Sequence, residues 1–302
     1  MANFTLLLLC LGLGIVLRTS GRLPEGAHLT LNAVIVNVAL PALAFASVRS
    51  LRFDAALLFA VAMPWLVFAL GAGFFLLVSR ALGFSRATTG GLVLTGALGN
   101  TSFVGLPMIE TFFGREAMQI GLVIDQLGSY LVLSTLGLVA AAAFSGTRAT
   151  PSEVVGRLVR FPPLLAMAAA LLCSGLAIPA WVDSMLMRLA DTIPALAMLS
   201  VGFQLRLAAF AGNRSALAVG LGFKLFLVPF LMAPLYLGLL PETMHATARI
   251  AIFESAMAPM IGAGIVAMQY KLNAPLVSLM LGIGIPLSLM TVPAWWYALG
   301  VV

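Results

Sequence analysis

The chain has 302 residues, of which 62% are apolar and 9% charged, and a formal net charge of +6. Soluble domains carry about a quarter charged residues, so this composition excludes a water-facing globular surface and leaves no room for a soluble domain. The pI near 10.0 would suit nucleic acid, but the basic residues sit in the connections between apolar runs and no basic stripe is interleaved with aromatics, so no nucleic-acid partner is expected.

Runs of about 20 apolar residues cross a bilayer core of about 30 Å. Such runs are predicted over 4–17, 29–48, 56–79, 87–112, 117–144, 161–178, 182–205, 215–238, 244–268 and 275–301. The fold expected is therefore an all-α membrane protein of ten transmembrane helices in contact with membrane lipid. The first run lacks a basic leading segment and a small-residue cleavage site, and its charges, Arg18 and Arg22, follow it. It is read as helix one, with Cys10 inside it and Cys173 inside helix six, both as buried thiols rather than a disulfide framework.

Lys and Arg set the orientation. Connections across the membrane from the N-terminus hold Arg18, Arg22, Arg80, Arg86, Arg148, Arg157, Arg160, Arg206, Arg214 and Lys271. The N-terminal side holds Arg49, Arg52, Arg115, Arg188 and Arg249. The richer set is placed in the cytoplasm, with both termini outside.

The two halves resemble each other. Residues 41–48 read PALAFASV and residues 194–201 read PALAMLSV, and Pro107-Met108-Ile109 returns as Pro259-Met260-Ile261. Duplication of a five-helix unit is expected, with residues 1–146 as the first repeat, 147–160 as a cytoplasmic linker and 161–302 as the second. An odd helix number inverts the second copy, an architecture of many secondary transporters.

Helices four and nine carry the polar breaks Gly99-Asn100-Thr101-Ser102-Phe103-Val104-Gly105-Leu106-Pro107 and Glu254-Ser255-Ala256-Met257-Ala258-Pro259. Proline removes a backbone donor, and paired interrupted helices in two repeats point to a transporter's binding site. Asn100, Thr101, Ser102, Gly105, Pro107 and Pro259 are the candidate substrate-binding residues. Intramembrane ionisable groups are functional candidates by default. Glu254 with Met257, and Asp125 with Gln126, are the candidate ion-coupling residues, through oxygen ligands to Na⁺ or uptake of a proton. The bland reading ties Glu254 to Arg249 or Lys224. Lys224 either snorkels to the interface or compensates an anionic substrate. Glu110 is read as structural, and Asp191 with Arg188 as a local pair one turn apart. Gly12, Gly14, Gly282 and Gly284 suit close helix packing, and Trp295, Trp296 and Tyr297 an interfacial belt. An intramembrane hydrolase would need paired deep aspartates, or a serine with a histidine. Only Asp125 is a deep aspartate, and His28 and His245 lie near loops, so no enzyme is expected.

The segments NVALPALAFASV, GNTSFVGLPMIETFFG, SVGFQL and AMAPMIGAGIVAMQY resemble the auxin efflux carrier family of bacteria and plants, in order along essentially the whole chain. The resemblance implies two inverted five-helix repeats with crossed, broken helices four and nine. Helices one, two, six and seven would form a scaffold, often dimeric; helices three to five and eight to ten would form a transport domain. It implies an organic anion as substrate, an auxin-like carboxylate or a dicarboxylate, carried by an elevator-like movement. The short central connection matches the bacterial form, which places the protein in a bacterial inner membrane. Bile acid–sodium symporters share the fold, and similar residues there, Asn100, Thr101 and Glu254 here, imply a candidate Na⁺ site. Proline at both expected breaks is the auxin-carrier pattern. A sodium-coupled bile-acid-type symporter, a channel and a non-transporting membrane subunit remain as alternatives, and no cofactor besides a coupling ion is expected.

Overall fold

The structure, a computed structural model, describes residues 2–49, 54–174, 176, 178–204 and 213–300. Arg52, Leu205 and Arg206, used above, lie outside the described residues. Helices dominate what is described: α1 (Ala2–Thr19), α2 (Ala27–Val48), α3 (Ala55–Leu82), α4 (Arg86–Ala97), α5 (Leu106–Phe113), α6 (Arg115–Ser145), α7 (Pro151–Leu158), α8 (Pro162–Leu172), α9 (Ala180–Gln204), α10 (Arg214–Leu239), α11 (His245–Ser255), α12 (Ile261–Gln269) and α13 (Ala274–Ala298). Six of them are long and apolar enough to cross a membrane, and a seventh span results if α7 and α8, bent by 61°, count as one. The predicted runs 87–112 and 244–268 are each divided, into α4 and α5 and into α11 and α12.

Local chemistry sets the ends. Asp54 accepts a hydrogen bond from the Leu57 amide at 2.9 Å and opens α3, and Ser85 accepts from Thr88 at 3.2 Å to open α4. These side chains satisfy amides that a first turn leaves free. Gly83 and Gly146 close α3 and α6 in the left-handed conformation, with φ of 68° and 80°.

Three π turns stand just before prolines. Ile35–Ala39 precedes Pro41, Thr101–Gly105 precedes Pro107, and Phe223–Leu227 precedes Pro229. A proline ring clashes with the carbonyl four residues earlier and cannot donate to it. One extra residue in the turn relieves that clash, which is how π bulges survive inside helices. The Leu225 carbonyl, four residues before Pro229, is taken up instead by Trp295 Nε1 at 2.9 Å.

The helices pack as two compact units, and each draws on both halves of the chain. The first comprises Met1–Phe53, Ser102–Leu122 and Val155–Leu205; the second comprises Asp54–Thr101, Val123–Val154 and Arg206–Val302. In the first unit α1 lies against α9 at two glycines. A methyl group on Gly14 would stand 2.2 Å from the Leu199 oxygen, and one on Gly202 would stand 2.1 Å from the Leu11 oxygen. Asp191 pairs with Arg115, not with Arg188, and Asp183 pairs with Arg49 at 3.0 Å. A partner one turn away on the same helix lost to cations brought in by other elements. In the second unit Phe74, Phe75 and Phe223 stack with centroids 4.7–5.3 Å apart. Large apolar side chains such as Leu77, Leu172 and Met290 are turned outward, as helices facing lipid require.

Candidate functional site

The second unit contains the crossing. Between α4 and α12 the chain at residues 98–100 runs antiparallel to residues 258–260, paired at Gly99 and Pro259. The Asn100 amide donates to the Ala258 carbonyl at 2.7 Å, and the Met260 amide donates to the Leu98 carbonyl at 3.1 Å. Each stretch therefore supplies one donor and one acceptor. Backbone outside a helix survives at membrane depth only where such bonds satisfy it within the protein. Pro259 has no amide, so it fits the position between the two bonds.

Gly284 of α13 holds the crossing from behind. A methyl group there would stand 2.7 Å from Pro259 Cδ and 2.8 Å from Leu221 Cδ2. The close packing expected of Gly284 is thus used at the break itself, whereas Gly12 has nothing within 4 Å.

The sequence-predicted residues fall on both sides of one division. Asn100, Thr101, Asp125, Gln126, Glu254, Met257 and Pro259 are in the second unit, and all of them are buried. Ser102, Gly105 and Pro107 belong to the first unit. Pro107 does not make the break. It stands second in α5, beyond the π turn that absorbs its clash, and Gly99 occupies the first crossing stretch. The expectation of a proline at both breaks is corrected to one, Pro259.

Around the crossing lies a buried polar cluster. Thr101 Oγ1 donates to Asp125 Oδ1 at 2.5 Å, and Gln126 Nε2 donates to Asp125 Oδ2 at 2.7 Å. Asp125 stands in a π turn of α6, Ile124–Tyr130, where the altered pitch is a common mark of functional positions. Glu254, in the last turn of α11, is fully buried, and among the described residues neither carboxylate oxygen has a hydrogen-bond partner. Asp125 and Lys224 are both close enough to act on it electrostatically. Arg249, the other cation weighed for Glu254, does not enter this cluster.

Of the readings weighed for Lys224, snorkelling to the interface is the one the structure overturns, while its nearness to Glu254 follows the reading that tied the two together. The lysine side chain is 1% exposed, and Nζ donates to the Ser255 carbonyl at 2.9 Å. The π turn Phe223–Leu227 carries it, so the bulge before Pro229 aims the ammonium at the end of α11. Free carbonyls at a helix C-terminus attract a cation. The available signal was the charge itself, within an apolar run. Beside Lys224, Glu254, Ser255, Gly99, Thr101 and Ser129 lies a cavity of about 10 Å³, room for one water-sized particle.

A larger cavity of about 870 Å³ opens at one end of the second unit. Its walls include Arg86, Arg148 and Lys271, Ser85, Thr147 and Tyr270, and one carboxylate, Glu153. Three cations against one anion make it attractive to negatively charged solutes.

Relatives carry the same assignment of class. An uncharacterized transporter of Methanothermobacter thermautotrophicus is 27% identical over 286 residues, covering 94% of this chain and 93% of its own. An uncharacterized transporter of Methanocaldococcus jannaschii is 24% identical over 293 residues, covering 92% of each. The model of the membrane transport protein family matches residues 2–296. With helices that cross at an interrupted, polar-lined point and a family match over nearly its whole length, the chain belongs to the membrane transport proteins of the auxin efflux carrier family.

Proposed function

We propose that the protein is a secondary transporter of a small organic anion, a monocarboxylate of auxin-like character or a dicarboxylate, with ten transmembrane segments in two inverted five-helix repeats. The observation that carries this reading is the clasped crossing of residues 98–100 and 258–260 beside the buried groups Asp125, Lys224 and Glu254. Broken helices of this kind gather main-chain donors and acceptors at a point where a substrate's charged group can be held. The cation-lined cavity of Arg86, Arg148 and Lys271 supports an anion as the solute.

In this reading Asn100, Thr101 and Pro259 meet the substrate at the crossing, and Ser102, Gly105 and Pro107 line its path. Asp125, Gln126, Glu254 and Met257 belong to the coupling machinery. The first unit holds α1, α2, α5, α8 and α9 with the start of α6, and in this reading α1, α2, α8 and α9 serve as scaffold, through which a homodimer forms. The second unit carries the substrate by an elevator-like movement in a bacterial inner membrane, with both termini outside.

The test is charge movement in proteoliposomes on a solid-supported membrane, over a panel of mono- and dicarboxylates. A saturable current with at least one carboxylate is expected, and Asn100→Ala is expected to abolish it at unchanged expression and monodispersity. Flux that does not saturate and shows no counterflow would instead make the protein a channel. No response to any carboxylate would remove the anion assignment.

A further inference from the structure

The place where the sequence leads one to expect sodium is already furnished with a cation. Asn100, Thr101 and Glu254 were the expected ligands. Thr101 spends its hydroxyl proton on Asp125 at 2.5 Å, and Lys224 enters the same oxygen-rich spot from α10. The oxygens that face this spot are of the kind that bind a monovalent cation: a main-chain carbonyl freed at a helix end, Ser255, and a buried carboxylate, Glu254. The Lys224 ammonium makes a 2.9 Å bond to the first and lies in the field of the second. It also sits close against the crossing itself, since a methyl group on Gly99 would be 3.0 Å from Nζ. A methyl group at position 99 would make the ammonium give way by a few tenths of an ångström. What remains open beside it is about 10 Å³, room for one water-sized particle, and a second cation there would stand directly against the ammonium.

We propose that Lys224 is a tethered cation: its ammonium takes the position of a coupling Na⁺ at the crossing, so that this carrier needs no sodium and binds none there. The residues at the crossing therefore do not fit Na⁺ as an additional occupant. The inference rests on the reading of the crossing as the transport site, but not on which solute is carried.

A covalently attached charge differs from a bound ion in one decisive way. It cannot diffuse away, and its occupancy does not depend on the sodium concentration. Removing it exposes the oxygens it covered. Lys224→Ala leaves room of ion size next to the Ser255 carbonyl and the Glu254 carboxylate, whereas Lys224→Met removes the charge while keeping most of the volume.

The experiment is thermal unfolding of the purified protein in detergent, in sodium, potassium or choline chloride at constant ionic strength. The wild type is expected to melt at one temperature in all three salts. Lys224→Ala is expected to gain a saturable, sodium-selective rise in Tm, smaller in Lys224→Met, and Lys224→Ala/Glu254→Gln is expected to lose that gain. A sodium-selective rise in the wild type that Glu254→Gln removes would overturn the proposal. So would a folded Lys224→Ala that stays indifferent to sodium. If neither single variant folds, binding of radioactive sodium to the wild type decides: saturable binding overturns the proposal, and none above the potassium background sustains it. No substrate enters these measurements, so a mistaken carboxylate panel leaves the result standing. Conversely, a wild-type current that requires sodium would refute the tethered cation while leaving organic-anion transport intact.

Discussion

Thr101 directly follows the first crossing stretch, and its hydroxyl donates a hydrogen bond to Asp125 at 2.5 Å, which ties the break in the chain to the π turn of α6. The bond matters because the clasp has only two main-chain hydrogen bonds of its own around Gly99 and Pro259. A buried hydrogen bond to a carboxylate contributes about 1.5–3 kcal/mol. Thr101→Val should therefore lower stability by about that amount, read as a drop in Tm in detergent, while Thr101→Ser should restore most of it. A valine variant that melts with the wild type would show that the clasp holds without this tie.

Gly284 and Pro259 should behave as one unit. Gly284→Ala sets a methyl group 2.7 Å from Pro259 Cδ, and overpacking of this kind destabilises by about 1–3 kcal/mol. Pro259→Ala removes the ring that the methyl strikes. In a double-mutant cycle on Tm or denaturant midpoint, the pair should be less destabilised than the sum of its members, by about 0.5–3 kcal/mol. Additive effects would mean that α13 relaxes away from the crossing.

Lys271 offers a separation of stability from solute capture. It follows α12 with φ 54°, the non-glycine residue of positive φ among those described, at a helix end where glycine is the usual occupant. The left-handed conformation costs a side-chain-bearing residue about 1–2 kcal/mol. Its ammonium also lines the basic cavity with Arg86 and Arg148. Lys271→Gly should raise Tm and, at low ionic strength, raise the KM for an anionic substrate severalfold. Added salt should shrink the KM difference, because screening falls on exposed charges first. A variant with unchanged KM would remove this cavity from the path of the anion.

How far the sequence could be read follows from what each residue needs. Apolar runs needed only their neighbours in sequence, so the helices containing 29–48, 56–79 and 215–238 were legible, as was most of 275–301, whose helix is Ala274–Ala298, and so were the polar interruptions in 87–112 and 244–268. Pro107 was misplaced because a proline marks strain without saying how the backbone relieves it, and a π turn relieved it here. Gly99 was read as the head of the polar break but not as the point where the two stretches cross. Lys224 was hidden for a related reason. Its direction depends on an extra residue in the turn before Pro229 and on a carbonyl thirty-one positions away in sequence. Asp191 found Arg115 through tertiary packing, which no local spacing rule contains.

The clasp between residues 98–100 and 258–260 closes with main-chain hydrogen bonds, and that has an evolutionary consequence. Such a junction tolerates exchange of other side chains, provided position 99 stays small, the bonds at 100 and 260 keep their donors, and the supports at Thr101 and Gly284 are kept. Side chains that contact the cargo can then be exchanged one at a time without dismantling the frame that presents them.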